Sequence, residues 1–434
     1  MTSTFRSLRI YNYRMWAVGA LVSNIGSWMQ RIAQDWIVLT QLTNENATAV
    51  GVVLALQFGP QVLLLPVTGF AADHLDRRKL LMATQAAMGL LALGLGLLTL
   101  SGHVQLWQVY AFALMLGCVT AFDSPARQTF VSDLVDGDHL SNAVGLNSTS
   151  FNLGRLVGPA VAGVLIAAVG PGWVFIINAV SFGAVLTSLL FLRVRDLYVT
   201  TRAVRTPASL VEGFRYVRRR PDLLAIMVML FLVGTFGLNF PIFLSTMSVT
   251  VFDAGAGAFG LLMSAMAVGS VIGALLAAGR SRPRIPLLVI AASCFGTFLA
   301  LAAVMPTYAL FAAVLVVVGM SSQTLMTSST TTIQMTTEPE MRGRVVAILL
   351  AVVLGGTPIG APLVGWIADT FGPRWAIGVG AAAGIGAGLI GIYYLVKYQN
   401  LRIRSSSRRV SLTLDRRLEP AFYLETSTQP RSTP

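Results

Sequence analysis

Asp35 lies inside a long apolar stretch, and Arg31 stands one helical turn before it. With Asn24 and Trp28 they fall at i, i+4, i+7 and i+11, which is one face of a helix. A charge at the centre of a bilayer costs about 2.5–3.5 kcal/mol on insertion scales, so this face is expected to look into protein or water. On a second apolar stretch Ser148, Asn152, Arg155 and Pro159 also share a face. Arg31 and Arg155 can therefore border one cavity, with Arg31 and Asp35 able to pair along their helix. Asp35 reads as the only acid set well within an apolar stretch. Its protonation would free an arginine or loosen a helix contact, giving a proton the differential binding that shifts a conformational balance. Asp35, Arg31 and Arg155 are the proton-coupling candidates; a static ion pair near the helix end is the other reading.

A wall for a guest molecule can be written from the same helices and their neighbours. Asn24, Trp28 and Asn152 are joined by Phe236, Asn239 and Phe240, by Met263 and Met266, and by Gln323 and Thr327 at helical spacing. Aromatic, thioether and amide surfaces together suit an amphipathic guest. Ordinary helix packing is the competing reading for each of them.

The elements that must position these residues are twelve apolar stretches between about residues 14 and 398. Each is about 20 residues long or more, enough for a helix to cross a bilayer core of about 30 Å. The composition, 55% hydrophobic and 11% charged, leaves too little polar surface for a soluble fold. The net charge of +13 is spread over short loops, with no basic domain to form a nucleic-acid footprint. Of 31 lysines and arginines, all but Arg31, Arg155 and Arg374 fall on the face shared by both termini, which the positive-inside rule makes cytoplasmic. The gaps after every second stretch thus face inward, and the expected location is the cytoplasmic membrane. Spans three, six, nine and twelve lack Asp, Glu, Arg and Lys in their interiors and are expected to face lipid.

The longest inner gap, Arg193 to Pro221, divides the chain. Residues 1–195 are expected to form one six-helix bundle, 196–221 a cytoplasmic linker with an amphipathic helix near Ser209 to Arg219, and 222–400 a second bundle. Residues 401–434, rich in Ser, Thr, Arg and Pro, read as a basic disordered tail. The halves repeat: Gly154, Gly158 and Gly163 recur at one offset as Gly356, Gly360 and Gly365, each set beside prolines. Matching Gly- and Pro-interrupted helices in two halves point to a transport pathway.

Two motifs carry a family resemblance. At the end of the second span stand Gly69, Asp73, Arg77, Arg78 and Lys79, with Asp76 where a Gly is usual. In the fifth span Gly145, Gly154, Gly158, Pro159 and Gly163 follow an antiporter pattern, with Ala162 in place of a second Gly. Together with Asp123 to Asn142 and Glu338 to Arg344, these segments resemble the major facilitator superfamily, specifically its drug:proton antiporters of the enterobactin-exporter and multidrug-efflux branch. The resemblance implies an all-α integral membrane fold of 12 transmembrane helices in two pseudo-symmetric six-helix bundles. It implies that Asp73 latches near Arg342 and Arg344, or to Arg127, to close the inner face. The arginine motif of many such antiporters has no counterpart between Val104 and Phe122.

The expected activity is export of an amphipathic small molecule, a drug or a metabolite, by proton antiport and alternating access. Two arginines against one acid raise the alternative of an anionic siderophore-like metabolite, or of a lysophospholipid. Only Lys79 and Lys397 exist and neither follows Gly, so no Walker loop can be written. No metal or cofactor is expected, no enzyme motif is found and no nucleic-acid partner is implied; the partners are the substrate, protons and the lipid bilayer, and the chain is expected to act as a monomer.

Overall fold

The computed structural model describes residues 3–198, 208–278, 285–398, 402–406 and 409–413. The apolar stretches are helices: α1 Tyr11–Ile37, α2 Ala47–Leu63, α3 Leu65–His74, α4 Arg77–Leu100, α5 Leu106–Asp133, α6 Gly137–Val169 and α7 Pro171–Leu190 in the first half. After α8, Ala208–Arg219, the second half holds α9 Pro221–Leu232, α10 Phe240–Thr246, α11 Ala256–Ala278, α12 Ile285–Val304, α13 Tyr308–Thr336, α14 Pro339–Phe371 and α15 Pro373–Tyr398. A short π-helical segment, Val233–Gly237, leads from α9 toward α10, and a second, Met247–Val251, extends α10 at its end.

Among the described residues, ten helices are long and apolar enough to cross a membrane. The two further spans read from the sequence are the first two. α1 has 27 residues but carries Arg14, Arg31 and Asp35. The second is divided at Leu64 into α2 and α3, where Pro66 in the first turn of α3 supplies no backbone donor.

Local chemistry sets the ends. Asn46 caps α2 through Ala49 N–H at 2.8 Å, and Asp76 caps α4 through Lys79 N–H at 3.1 Å. Asp76 therefore replaces the usual Gly with a working N-cap. Gly170 and Gly372 end α6 and α14 at φ +87° and +100°, a region that L side chains rarely adopt, and a proline opens the next helix after each.

Within the first bundle α1 packs on α6 and α7, α4 on α7, and α2 and α4 on α5. The second repeats this plan: α9 packs on α15, α14 on the π-segment after α9, α12 on α15, and α11 and α12 on α13. The bundles meet through α2 with α14 and α6 with α11. The helices α4, α7, α12 and α15, whose interiors carry no charge, expose Leu90, Leu97, Val180, Ile290, Leu389 and Val396, and α6, α11 and α14 expose apolar residues as well.

Beyond α15, Arg402–Ser406 (β1) and Arg409–Thr413 (β2) pair antiparallel, with Ile403 opposite Leu412. The sequence reads there as disordered; apolar residues alternating with polar ones suit a ribbon instead. The rest of the expected disordered tail, and linker residues 199–207, lie outside the described residues.

Candidate functional site

The site starts where α6 has no side chains. A methyl group on Gly154 would stand 2.9 Å from the Asn24 carbonyl carbon, and one on Gly158 would stand 2.6 Å from Trp28 Cβ. Contact at that range fixes α1 against α6 and puts Trp28 between two cations. The Arg31 Cζ is 5.2 Å from the Trp28 ring centroid and the Arg155 Cζ is 6.0 Å from it. Arg31 also lies 5.5 Å from the Phe58 ring centroid, on α2.

The expected pairing of Arg31 with Asp35 is not made. Among the described residues no ion pair involves Arg31, Asp35 or Arg155. Arg31 turns back onto aromatic faces, an attraction of about 2 kcal/mol when desolvated. A guanidinium held by its flat face keeps its N–H donors in plane and available to an anionic group. Asp35 is 3% exposed, one turn farther along α1. Beside it Gln34 accepts from Gln57 Nε2 at 3.1 Å, and Gln30 accepts from Asn178 Nδ2, so buried amides tie α1 to α2 and α7.

A second intramembrane acid corrects the reading of Asp35 as the only one. α5 continues to Asp133, so Asp123 lies within it and is 4% exposed. Its carboxylate accepts from Thr84 Oγ1 at 2.8 Å and Gln85 Nε2 at 2.7 Å, both on α4, and from Arg127 Nε at 3.1 Å. The arginine, expected only as a partner for Asp73, is placed inside the fourth span, with its Cζ 5.8 Å from the Trp16 ring centroid. Asn24 connects this cluster to α6, donating to Ser150 Oγ at 3.0 Å. The signal was present in the chain as Asp and Arg four apart on a helix, facing a polar Thr84–Gln85 step in an otherwise apolar span.

The glycine repeat has a repeated geometry. Gly154 and Gly158 press α6 onto α1; Gly356 and Gly360 press α14 onto Thr235 in the π-segment after α9. The third glycine of each set crosses to the other bundle, Gly163 meeting Ala256 and Gly257 of α11, and Gly365 meeting Ala47 and Thr48 of α2. Gly260 of α11 in turn lies against the Pro159 carbonyl. Gly145 differs, since a side chain there would meet nothing within 4 Å.

These crossings lie toward the end away from the termini, and that end is latched. Asp369 at the end of α14 accepts from Ala47 N–H at 2.7 Å, Thr48 N–H at 2.9 Å and Thr48 Oγ1 at 2.5 Å. Thr250 donates to Glu45 at 2.8 Å, and Ser264 of α11 donates to the Leu156 carbonyl of α6 at 3.0 Å. Trp36 and Phe259 stack across the bundles with centroids 6.4 Å apart. Toward the termini the same helices pack less tightly, a methyl on Gly59 coming to 4.0 Å of Pro358 and one on Gly355 to 3.7 Å of Val62, ordinary van der Waals contact, whereas Gly51 and Gly365 leave no room for one. Gly365 and Asp369 stand four apart, as Gly69 and Asp73 do, and α2 with α3 runs antiparallel to α14. The chain thus repeats the same Gly-to-Asp spacing in α3 and in α14.

At the termini end Arg77 pairs with Asp133 at 2.7 Å, Arg78 Nε donates to the Leu189 carbonyl at 2.9 Å, and Arg344 pairs with Glu212 of α8 at 2.5 Å. Lys79 and Arg342 are exposed. Gly69 and Asp73 belong to α3, but their side chains, and so the expected Asp73 latch, lie outside the described residues.

The substrate-wall candidates divide. Trp28, Asn24, Asn152, Phe236, Gln323 and Thr327 are part-exposed, with Gln323 donating to Thr327 Oγ1 at 3.0 Å. Asn239, Phe240, Met263 and Met266 are buried in packing. Phe240 stands edge-on to Phe243 and Phe295, and Asn239 donates to the Thr235 carbonyl while its Oδ1 is buried without a partner.

A family model described as transmembrane secretion effector matches residues 2–421. The chain is 25% identical to a staphyloferrin A transporter of Staphylococcus aureus over 89% of its own length and 97% of that protein's. It is 26% identical to the enterobactin exporter EntS of Shigella flexneri, covering 83% and 86%, and 27% identical to the multidrug efflux pump Tap of Mycolicibacterium fortuitum, covering 81% and 88%. Among solved structures the nucleoside transporter NupG aligns with TM-score 0.67 at 12% identity, over 89% of this chain and 99% of that one, and so shares the fold.

Proposed function

Because the chain belongs to the transmembrane secretion effector family, within the major facilitator superfamily, we propose that it is a secondary transporter exporting an amphipathic small molecule from the cytoplasm by proton antiport and alternating access. Twelve spans would cross the cytoplasmic membrane with both termini inside, the orientation that the loop arginines favour. On that orientation the tight contacts at the end away from the termini lie on the outer side. The relatives named for siderophores and for drugs support export of such compounds.

One observation carries the reading: Trp28, part-exposed, between Arg31 and Arg155, with Asp35 one turn beyond. An aromatic face between two cations, beside an acid, can bind a guest and a proton in one place. Asp35 and the Asp123–Arg127 pair are the proton candidates. Binding a proton at Asp123 would weaken its hold on Thr84, Gln85 and Arg127, and at Asp35 would remove a buried charge beside Arg31; either couples proton entry to rocking of the bundles.

A second reading is narrower. Among the described residues neither Arg31 nor Arg155 makes a direct ion pair, and one acid, Asp35, faces two arginines, so an anionic guest, siderophore-like or a lysophospholipid, would complete the charge. Efflux of a catecholate siderophore and of a cationic dye is compared in cells lacking other pumps. Preferred export of the catecholate, lost in Arg155→Gln, is expected on the narrower reading. Efflux of either compound that persists undiminished in an Asp35→Asn, Asp123→Asn double variant would sink the proton assignment.

A further inference from the structure

A groove of about 610 Å³ runs between α8, α9 and the first half of α14. Phe214 of α8, Val228 and Phe231 of α9, and Ile348 and Val352 of α14 form its apolar wall, and Arg215 and Arg218 stand at its mouth. The volume lies within the usual range for a specific guest, about 300–1,000 Å³.

The groove opens to the bilayer. Ile348 and Val352 continue at helical spacing into Ile359, Leu363 and Trp366, and these three are exposed on the half of α14 where the bundles are closed together. Exposure there means exposure to lipid. α8 is seated on α14 at the edge of the groove, with Gly213 against Ile348 and Arg344 and with Val217 buried, which leaves Phe214 60% exposed. The depth fits one leaflet: Phe231 lies ten residues beyond Pro221, about 15 Å at 1.5 Å per residue, or half of a core about 30 Å thick.

The mouth carries uncompensated charge. The nearby acids are taken, Glu212 by Arg344 and Asp222 by Arg220. Arg215 and Arg218 are exposed and have no ion-pair partner among the described residues. We propose that this groove is a binding site for one anionic phospholipid of the cytoplasmic leaflet, its phosphate held by Arg215 and Arg218 and one acyl chain lying along Phe214, Val228, Phe231, Ile348 and Val352. The choice of leaflet rests on the orientation proposed above; binding itself does not depend on transport.

Native mass spectrometry of the full chain in detergent tests this with phosphatidylglycerol and phosphatidylcholine of equal chain length. One phosphatidylglycerol is expected to be retained with about thirtyfold preference, each arginine near an anionic group contributing about fivefold. Arg215→Gln with Arg218→Gln should remove that preference; both side chains are exposed, so the fold is unaffected. Val352→Trp should displace the acyl chain and lower binding of both lipids. Equal binding of the two lipids, or a preference unchanged in the arginine double variant, overturns the assignment. So does a dimer without a lipid adduct that Val228→Arg dissociates, since a second copy would then fill the groove.

Discussion

Replacing Asp369 with alanine removes a carboxylate that makes three hydrogen bonds to the first turn of α2, on the other bundle. A hydrogen bond to a charged group contributes about 1.5–3 kcal/mol, and an anion at an exposed helix N-terminus about 0.3–1 kcal/mol. Asp369 and Thr48 are reached by solvent, which leaves about 1–2 kcal/mol for the latch as a whole. Asp369→Ala should therefore raise the ratio of molecules open at this end to molecules closed by about 5- to 30-fold. Spin labels at Gln41 and Thr370, in a background with Cys118 and Cys294 replaced by alanine, would read that ratio as a distance distribution by pulsed electron resonance. Asp369→Asn should fall between, because its amide carbonyl still accepts an N–H without the charge. The control is Asn46→Ala, which removes the cap that α2 receives from its own bundle and should lower stability without moving the distribution. An Asp369→Ala distribution that matches the parent, or one reproduced by Asn46→Ala, would refute the latch and leave Asp369 as a helix cap alone.

Other consequences follow from the same contacts. Gly158→Ala forces a methyl against Trp28 and should lower transport at least tenfold while the protein still reaches the membrane, whereas Gly145→Ala, into open space, should retain transport; vesicle uptake with immunoblotting separates the two. Trp28→Ala removes the ring shared by Arg31 and Arg155 and should raise the apparent KM for the exported compound about tenfold, with Trp28→Phe recovering most of it. The Asp136 carboxyl caps α6 and is held below the usual aspartate range, chiefly by its side-chain hydrogen bond to His139. A depressed folded value means that the cap's contribution is present above the unfolded value and is lost as pH falls through the folded one. The protection of first-turn amides of α6, measured relative to their intrinsic exchange rate at each pH, should therefore hold through the ordinary aspartate range and fall only below it, and Asp136→Asn should abolish that pH dependence.

How much of this was legible in the chain depends on whether a residue's role is set by its own helix or by what approaches it. Span positions, the glycine repeat and the amphipathic α8 follow from local composition, since a bilayer leaves an apolar segment little besides a helix. The glycine offset also carried tertiary information, because two close approaches to a neighbour and one to the opposite bundle require the same three vacancies in each half. The charged residues were harder. Arg31 and Asp35 look like a pair at i, i+4, yet Phe58 arrives from α2 and Trp28 is fixed by Gly158, so the aromatic faces take the arginine. Asp123 is hard to read from the chain because charges at residues 123 and 127 resemble a span ending, and it is Thr84 and Gln85 from α4, with Arg127, that make its burial tolerable. Asp369 shows the same logic at larger scale. In sequence it is one acid at a helix end, and only the packing of α2 on α14 brings its carboxylate to the first turn of a helix in the other bundle.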